Sequence, residues 1–175
     1  MDQINKSNVG SLKVAWTFST GVLRGHEGGP LVIGDVMYVH TAIPNIVYAL
    51  DLNDDQKILW KYNPVKGGKY PGGETMDRVI SVMCCDNVNR GVNYHPNGTL
   101  VLHAADTSVI ALDAKSGKEK WITPNLHAGT GKYGVSASTG SGQPFIIKDT
   151  VGVGCSGAEF GVRCNWTSYD INSGK

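Results

Sequence analysis

Short apolar runs rich in β-branched and aromatic residues alternate along the chain with turns bearing glycine, asparagine and aspartate. No stretch keeps a helical period beyond two turns. This pattern predicts many short strands joined by tight turns. The run from Pro30 to His40 reads as a hairpin with its turn at Gly34-Asp35. A second hairpin joins Gly91-Val92-Asn93-Tyr94 to Thr99-Leu100-Val101-Leu102-His103 through Pro96-Asn97-Gly98, and the run from Gln143 to Val153 turns at Lys148-Asp149.

A strand motif then repeats. Ile46-Val47-Tyr48-Ala49-Leu50-Asp51-Leu52 recurs as Ser108-Val109-Ile110-Ala111-Leu112-Asp113-Ala114, and more weakly as Trp166-Thr167-Ser168-Tyr169-Asp170-Ile171. The first two copies run through polar turns, Asn53 to Lys57 and Lys115 to Lys118, into strands carrying Trp60 and Trp121. The third reaches its turn at Asn172-Ser173-Gly174-Lys175. Trp16, after Leu12-Lys13-Val14-Ala15, reads as the last strand of a further unit whose beginning is missing. Four-stranded units repeating at roughly 40–60 residues are the signature of a β-propeller, and a closed propeller takes at least about four blades. Residues 1–175 are therefore read as an all-β piece of a larger propeller, two to three blades long and cut in mid-pattern at both ends. The alternative is a small self-contained β-domain. Unmatched repeat ends argue against it, because they leave sheet edges that native domains cover.

Composition narrows the function. Sixteen Lys and Arg against fifteen Asp and Glu give a net charge of +1, so there is no basic field for nucleic acid. No apolar run approaches the roughly 20 residues of a membrane span, and the polar start Met1-Asp2-Gln3-Ile4-Asn5 is no secretory leader. The chain is then either cytosolic or a segment cut from a longer precursor.

Four polar clusters fall at similar places in successive units: Arg24 to Pro30, Cys84-Cys85 with Asn89-Arg90-Gly91, Ser136 to Gly142, and Cys155 to Arg163. In a propeller, the segments leading into the innermost strands line the central axis. Adjacent cysteines are unusual, since neighbouring Cα atoms lie about 3.8 Å apart and an ordinary disulfide spans roughly 4.4–6.8 Å. A bond between Cys84 and Cys85 would close almost no loop and would serve to present a hard flat surface; two separately packed thiols are the alternative. Cys155 and Cys164 can pair or stay free. Glycines around Glu27 allow close approach of a ligand, against the plainer reading of a solvated loop acid. Glu159 is a candidate ligand for a hard cation, or the partner of Arg163 four residues on. Arg90 can grip an acidic ligand in fork geometry or pair with Asp86. Asn97-Gly98-Thr99 and Asn165-Trp166-Thr167 match the glycosylation sequon and are taken as chance matches.

The repeat Ala111-Leu112-Asp113-Ala114-Lys115-Ser116-Gly117-Lys118-Glu119-Lys120-Trp121 resembles the tryptophan-docking repeats of quinoprotein alcohol dehydrogenases, and most of all the lanthanide-dependent methanol dehydrogenase type. Gly25-His26-Glu27-Gly28, the run from Cys84 to Gly91 and the run from Ser156 to Arg163 carry the likeness, with Trp16-Thr17-Phe18-Ser19-Thr20-Gly21 in support. The resemblance implies an eight-bladed propeller with pyrroloquinoline quinone (PQQ) and one metal ion, a lanthanide(III) or Ca²⁺. It implies that Glu27 hydrogen-bonds the quinone and that Cys84 and Cys85 form a disulfide flat against the ring. It assigns a cofactor carboxylate to Arg90, the polar edge to Ser156, Gly157 and Ala158, and the metal to Glu159. Ser141 stands where the family has a threonine and keeps the hydroxyl. Further implications are a small primary alcohol substrate, a cytochrome c-type electron acceptor, a homodimeric and periplasmic parent, and a catalytic aspartate beyond Lys175. A non-enzymatic propeller scaffold that binds proteins is the rival reading; it needs neither linked adjacent cysteines nor the two glutamates. With the aspartate outside it, the isolated 175-residue chain is expected to show no alcohol-dependent dye reduction, and measurable turnover by that chain contradicts the assignment.

Overall fold

The computed structural model describes residues 3–124 and 137–175; Ser136 of the third polar cluster lies outside them. Two four-stranded antiparallel sheets follow chain order: β1 (Leu31–Ile33), β2 (Val36–His40), β3 (Val47–Asp51) and β4 (Lys57–Tyr62), then β5 (Val92–His95), β6 (Thr99–His103), β7 (Val109–Asp113) and β8 (Glu119–Thr123). A third sheet joins β9 (Phe145–Ile147), β10 (Thr150–Val153) and β11 (Thr167–Asp170). The hairpin turns fall where the sequence puts them. Between the first two sheets lies a short helix, Met76–Ile80, capped by Thr75, whose Oγ1 accepts from Arg78 N at 3.2 Å.

The repeated motif forms β3 and β7, whose first four residues are buried in both cases. Their unbroken apolar runs follow from burial on both faces of the sheet, so that no position faces water. Val47, Ala49 and Tyr62 of the first sheet pack against Leu100, Leu102, Ile110 and Leu112 of the second. Val101 and Val109, on the other face of the second sheet, pack against Val151, Val153 and Tyr169 of the third. The outer face of the first sheet, with Ile46, Tyr48 and Leu50, is covered by Phe18 and Val22 from the amino-terminal segment.

Each of the two repeat tryptophans reaches from one sheet to the next. Trp60 stands opposite Ala49 and Trp121 opposite Ala111, each beside the same one-residue register shift. Trp60 Nε1 donates to Ala114 O at 3.0 Å, and Trp121 Nε1 donates to Ile171 O at 2.9 Å. Both rings lie flat on a turn glycine. A Cβ added to Gly117 would come within 2.6 Å of the Trp60 ring, and one on Gly174 within 2.6 Å of the Trp121 ring. These glycines have φ of 70° and 69°, the left-handed turn conformation that other residues adopt at a cost.

One expected strand is absent. Leu12 to Ala15 and Trp16 form no strand, because no sheet edge pairs with them among the described residues. Leu12 and Val14 stay exposed at 61% and 81%. Phe18 anchors the segment edge-on to Tyr48, with centroids 5.2 Å apart, and Tyr48 Oη donates to Thr20 O at 2.8 Å.

The docking contact predicts a specific sensitivity. Gly117→Ala is expected to destabilise by about 2–4 kcal/mol through the left-handed turn plus overlap with Trp60. Gly98→Ala, at φ 82° with open space around it, should cost only about 1 kcal/mol. Denaturant melts check both, and equal losses contradict the docking account.

Candidate functional site

Site residues converge from the segments flanking β1, β5, β9 and β10. Glu27 precedes β1, Arg90 precedes β5, Ser141 precedes β9 and Ser156 follows β10. They join in one polar chain. Arg90 Nη2 meets Glu27 Oε2 at 2.9 Å, Arg90 Nη1 donates to Ser141 Oγ at 3.1 Å, and the Ser141 and Ser156 hydroxyls lie 2.6 Å apart. Backbone bonds hold the same loops: Arg90 N to Ser141 O at 3.0 Å, and a reciprocal pair between Thr139 and Ser156 at 3.0 and 2.8 Å. A hollow of about 240 Å³ opens here, lined by Arg90, His103, Ser141, Gly142 and Ser156 among others. Glu27 is thus ion-paired while still open to solvent. At 45% and 47% exposure the pair contributes little stability, about 0–1 kcal/mol, and its guanidinium remains open to a ligand.

Beneath that chain runs a buried one. Asn89 is 1% exposed; its carbonyl accepts from His40 Nε2 at 3.1 Å, and its Nδ2 donates to His103 O at 2.8 Å. Burial pushes the His40 pKa down, with the Asn89 carbonyl opposing and His26 reinforcing the shift. His103 is pushed down to about 4 by burial, with only partial offset from the backbone of Thr107 and Gly142. Neither histidine stood out by type in the sequence, and Asn89 appeared there only as a member of the Cys84–Gly91 cluster. The available signal was the histidine ending equivalent strands, Tyr38-Val39-His40 and Val101-Leu102-His103.

Cys84 and Cys85 are linked, with Cα atoms 3.8 Å apart; Cys84 is half-buried and Cys85 exposed. Cys85 and Asn87 take positive φ of 62° and 61° in the 3₁₀ turn Cys85–Asn87. Cys155 and Cys164 are also bonded. Gly157, buried at φ 131°, packs against Val162 and the Ala137 carbonyl and leads into the 3₁₀ turn Ala158–Phe160, where Ala158 and Glu159 are exposed. Gly161, in the left-handed conformation, ends that turn at once. Spacing of four therefore does not bring Glu159 onto Arg163, and no ion pair engages Glu159 among the described residues. Nor does any group of three or more acidic, histidine or cysteine side chains gather there as a metal cage. Glu159 offers a single carboxylate.

Antiparallel sheets stacked face to face and joined by tryptophan-on-glycine contacts, with a hollow between loops of the second and third, have the architecture of part of a β-propeller. Residues 1–151 match the family described as glucose/ethanol/alcohol dehydrogenase, β-propeller domain, and the chain belongs to that family. It is 54% identical over its full length to the lanthanide-dependent methanol dehydrogenase of Methylorubrum extorquens, covering 26% of that protein. It is 46% identical to methanol dehydrogenase [cytochrome c] subunit 1 of Paracoccus denitrificans, again covering all of this chain and 26% of the relative. A solved europium-containing methanol dehydrogenase superposes with a TM-score of 0.85 at 46% identity, over 100% of this chain and 28% of that one. The chain thus spans about a quarter of the length of these relatives.

The buried histidine gives a pH dependence with a definite sign. The folded-state pKa of His103, about 4, lies below the ordinary value of 6.5, so an unfolded chain takes up the proton first as pH falls. Stability is full above about 6.5 and declines as pH drops toward 4, by on the order of 2–3 kcal/mol. Denaturant midpoints measured between pH 7.5 and pH 4.5 should fall accordingly, and His103→Gln should flatten that slope; an unchanged slope contradicts the assignment.

Proposed function

We propose that this chain forms part of a PQQ-dependent alcohol dehydrogenase that oxidises methanol or another small primary alcohol to the aldehyde. Residues 1–175 belong to one larger propeller domain. Glu27, Cys84, Cys85, Arg90, Ser141, Ser156, Gly157 and Ala158 hold the cofactor, and Glu159 supplies one oxygen ligand to the metal. The observation that carries the reading is the chain Glu27–Arg90–Ser141–Ser156, assembled from segments beside all three sheets, with Arg90, Ser141 and Ser156 lining one hollow.

The donor set suits the group. PQQ is a planar tricyclic ring bearing three carboxylates and two quinone oxygens. An accessible guanidinium and two hydroxyls answer the carboxylates, and the linked Cys84–Cys85 pair offers a compact plate for a flat ring. Gly157 brings backbone close without side-chain bulk, while the exposed Glu159 carboxylate suits a hard cation. When bound, the quinone supplies the two-electron acceptor for the alcohol and the metal acts as a Lewis acid on it. This chain's residues bind and orient: Arg90 neutralises carboxylate charge, Ser141 and Ser156 fix the polar edge, and Glu27 keeps the guanidinium directed.

The metal is a lanthanide(III) or Ca²⁺, and the name of the lanthanide-dependent relative supports the lanthanide. The cytochrome c in the second relative's name supports a cytochrome c-type acceptor. Two disulfides support an oxidising compartment, the periplasm. The linked adjacent cysteines also weigh against a protein-binding scaffold, which has no use for them.

Titration of the full-length protein carrying this sequence with PQQ and La³⁺, followed by ring absorbance, tests the reading. Binding is expected, with Arg90→Gln weakening it about 100-fold, the worth of a charged hydrogen-bonded partner. Absence of binding, or indifference to Arg90→Gln, overturns it.

A further inference from the structure

We propose that His40, Asn89 and His103 form a buried positioning layer that sets the spacing of the ligand-binding residues above it; this rests on the cofactor reading just given. The two histidines occupy the same register in consecutive blades, His40 opposite Val47 and His103 opposite Val109. They are 4% and 2% exposed, and Asn89 between them is 1% exposed. Asn89 bonds both: its carbonyl accepts from the His40 ring, its amide donates to the His103 carbonyl, and its Oδ1 accepts from Gly91 N at 3.1 Å. The backbone of Arg90 is thereby pinned on either side of its Cα.

Each ring also lies against a glycine that neighbours a site residue. A Cβ on Gly28, next to Glu27, would overlap the His40 ring and come within 2.9 Å of the Arg90 carbonyl carbon. A Cβ on Gly140, next to Ser141, would come within 2.9 Å of His103 Nε2. Residues 27, 90 and 141 of the polar chain thus sit one position from residues 28, 89 and 140 of the buried layer. An exposed ion pair cannot hold two loops in register by itself, whereas a packed, hydrogen-bonded layer can. His40 suits the task because its planar ring fills the space under Gly28 while Nε2 reaches Asn89. Nδ1 then remains an acceptor with no partner among the described residues. Burial keeps both rings neutral near pH 7, so neither competes with Arg90 for Glu27. His40, Asn89 and His103 are positioning residues, acting through Glu27, Arg90 and Ser141.

The test compares His40→Met, which keeps bulk and loses the donor, with His40→Gln, whose amide occupies the place of Nε2. Both are made in the full-length protein. Two readouts serve: amide hydrogen exchange over residues 24–30 and 86–92 without cofactor, and PQQ affinity. His40→Met should speed exchange in both segments and weaken PQQ binding about 10- to 100-fold, the usual loss when an outer-shell partner is removed. His40→Gln should restore both. In a Glu27→Gln background, His40→Met should add less than it does alone, because the two act as a unit. Unchanged exchange and affinity in a folded His40→Met protein, failure of the glutamine to restore them, or full additivity with Glu27→Gln overturns the proposal. Should His40→Met fail to fold, His40→Asn, with its shorter reach, carries the same expectation. If the unmutated protein binds no PQQ, the functional reading falls, and the exchange comparison alone decides the positioning layer.

Discussion

Everything in this structure depends on an indole ring lying flat on a glycine turn. Trp60 and Trp121 each close the gap between one sheet and the next, and each directs its N–H to a carbonyl in the neighbour. The contact is apolar over its area and polar at one atom, so it gives both attraction and register. The buried faces of β3, β6 and β7 add apolar burial between the sheets. The tryptophans fix how far one blade is rotated against the next, and hence which loops meet at the blade ends.

Those loops carry a site built in two tiers. The upper tier is polar and accessible, and its single ion pair is worth little to folding. Its value lies in being open: charged and hydroxyl groups are presented where a ligand can engage them. The lower tier is closed, and its hydrogen bonds count for more because an orphaned buried polar group costs about 1–3 kcal/mol. Precision in the upper tier is inherited from rigidity in the lower.

Much of the fold was legible because it repeats. Asp51 and Asp113, with the tryptophans nine and eight residues later, marked equivalent strands before any pairing was known. Leu12 to Trp16 show the limit of such reasoning, since an apolar run before a tryptophan makes a strand only where an edge receives it. Glu159 and Arg163 illustrate another limit: four-residue spacing implies contact on an α-helix, but Gly161 stops the turn first. Cys155 and Cys164 could be paired only once the loop geometry was known. The site residues Glu27, Arg90, Ser141 and Ser156 were visible as polar clusters near glycine. That one guanidinium would tie the clusters together, and that two strand-end histidines would lie below, came only from the docking of three sheets. Such contacts join residues some 50 positions apart and leave no local trace.

The most direct test of the central claim is a crystal structure of the full-length protein loaded with PQQ and La³⁺. The account predicts the ring lying over the Cys84–Cys85 sulfurs, a carboxylate within hydrogen-bond distance of Arg90, and Glu159 on the metal. A ring bound elsewhere, with Arg90 and the linked sulfurs touching only solvent, would contradict it.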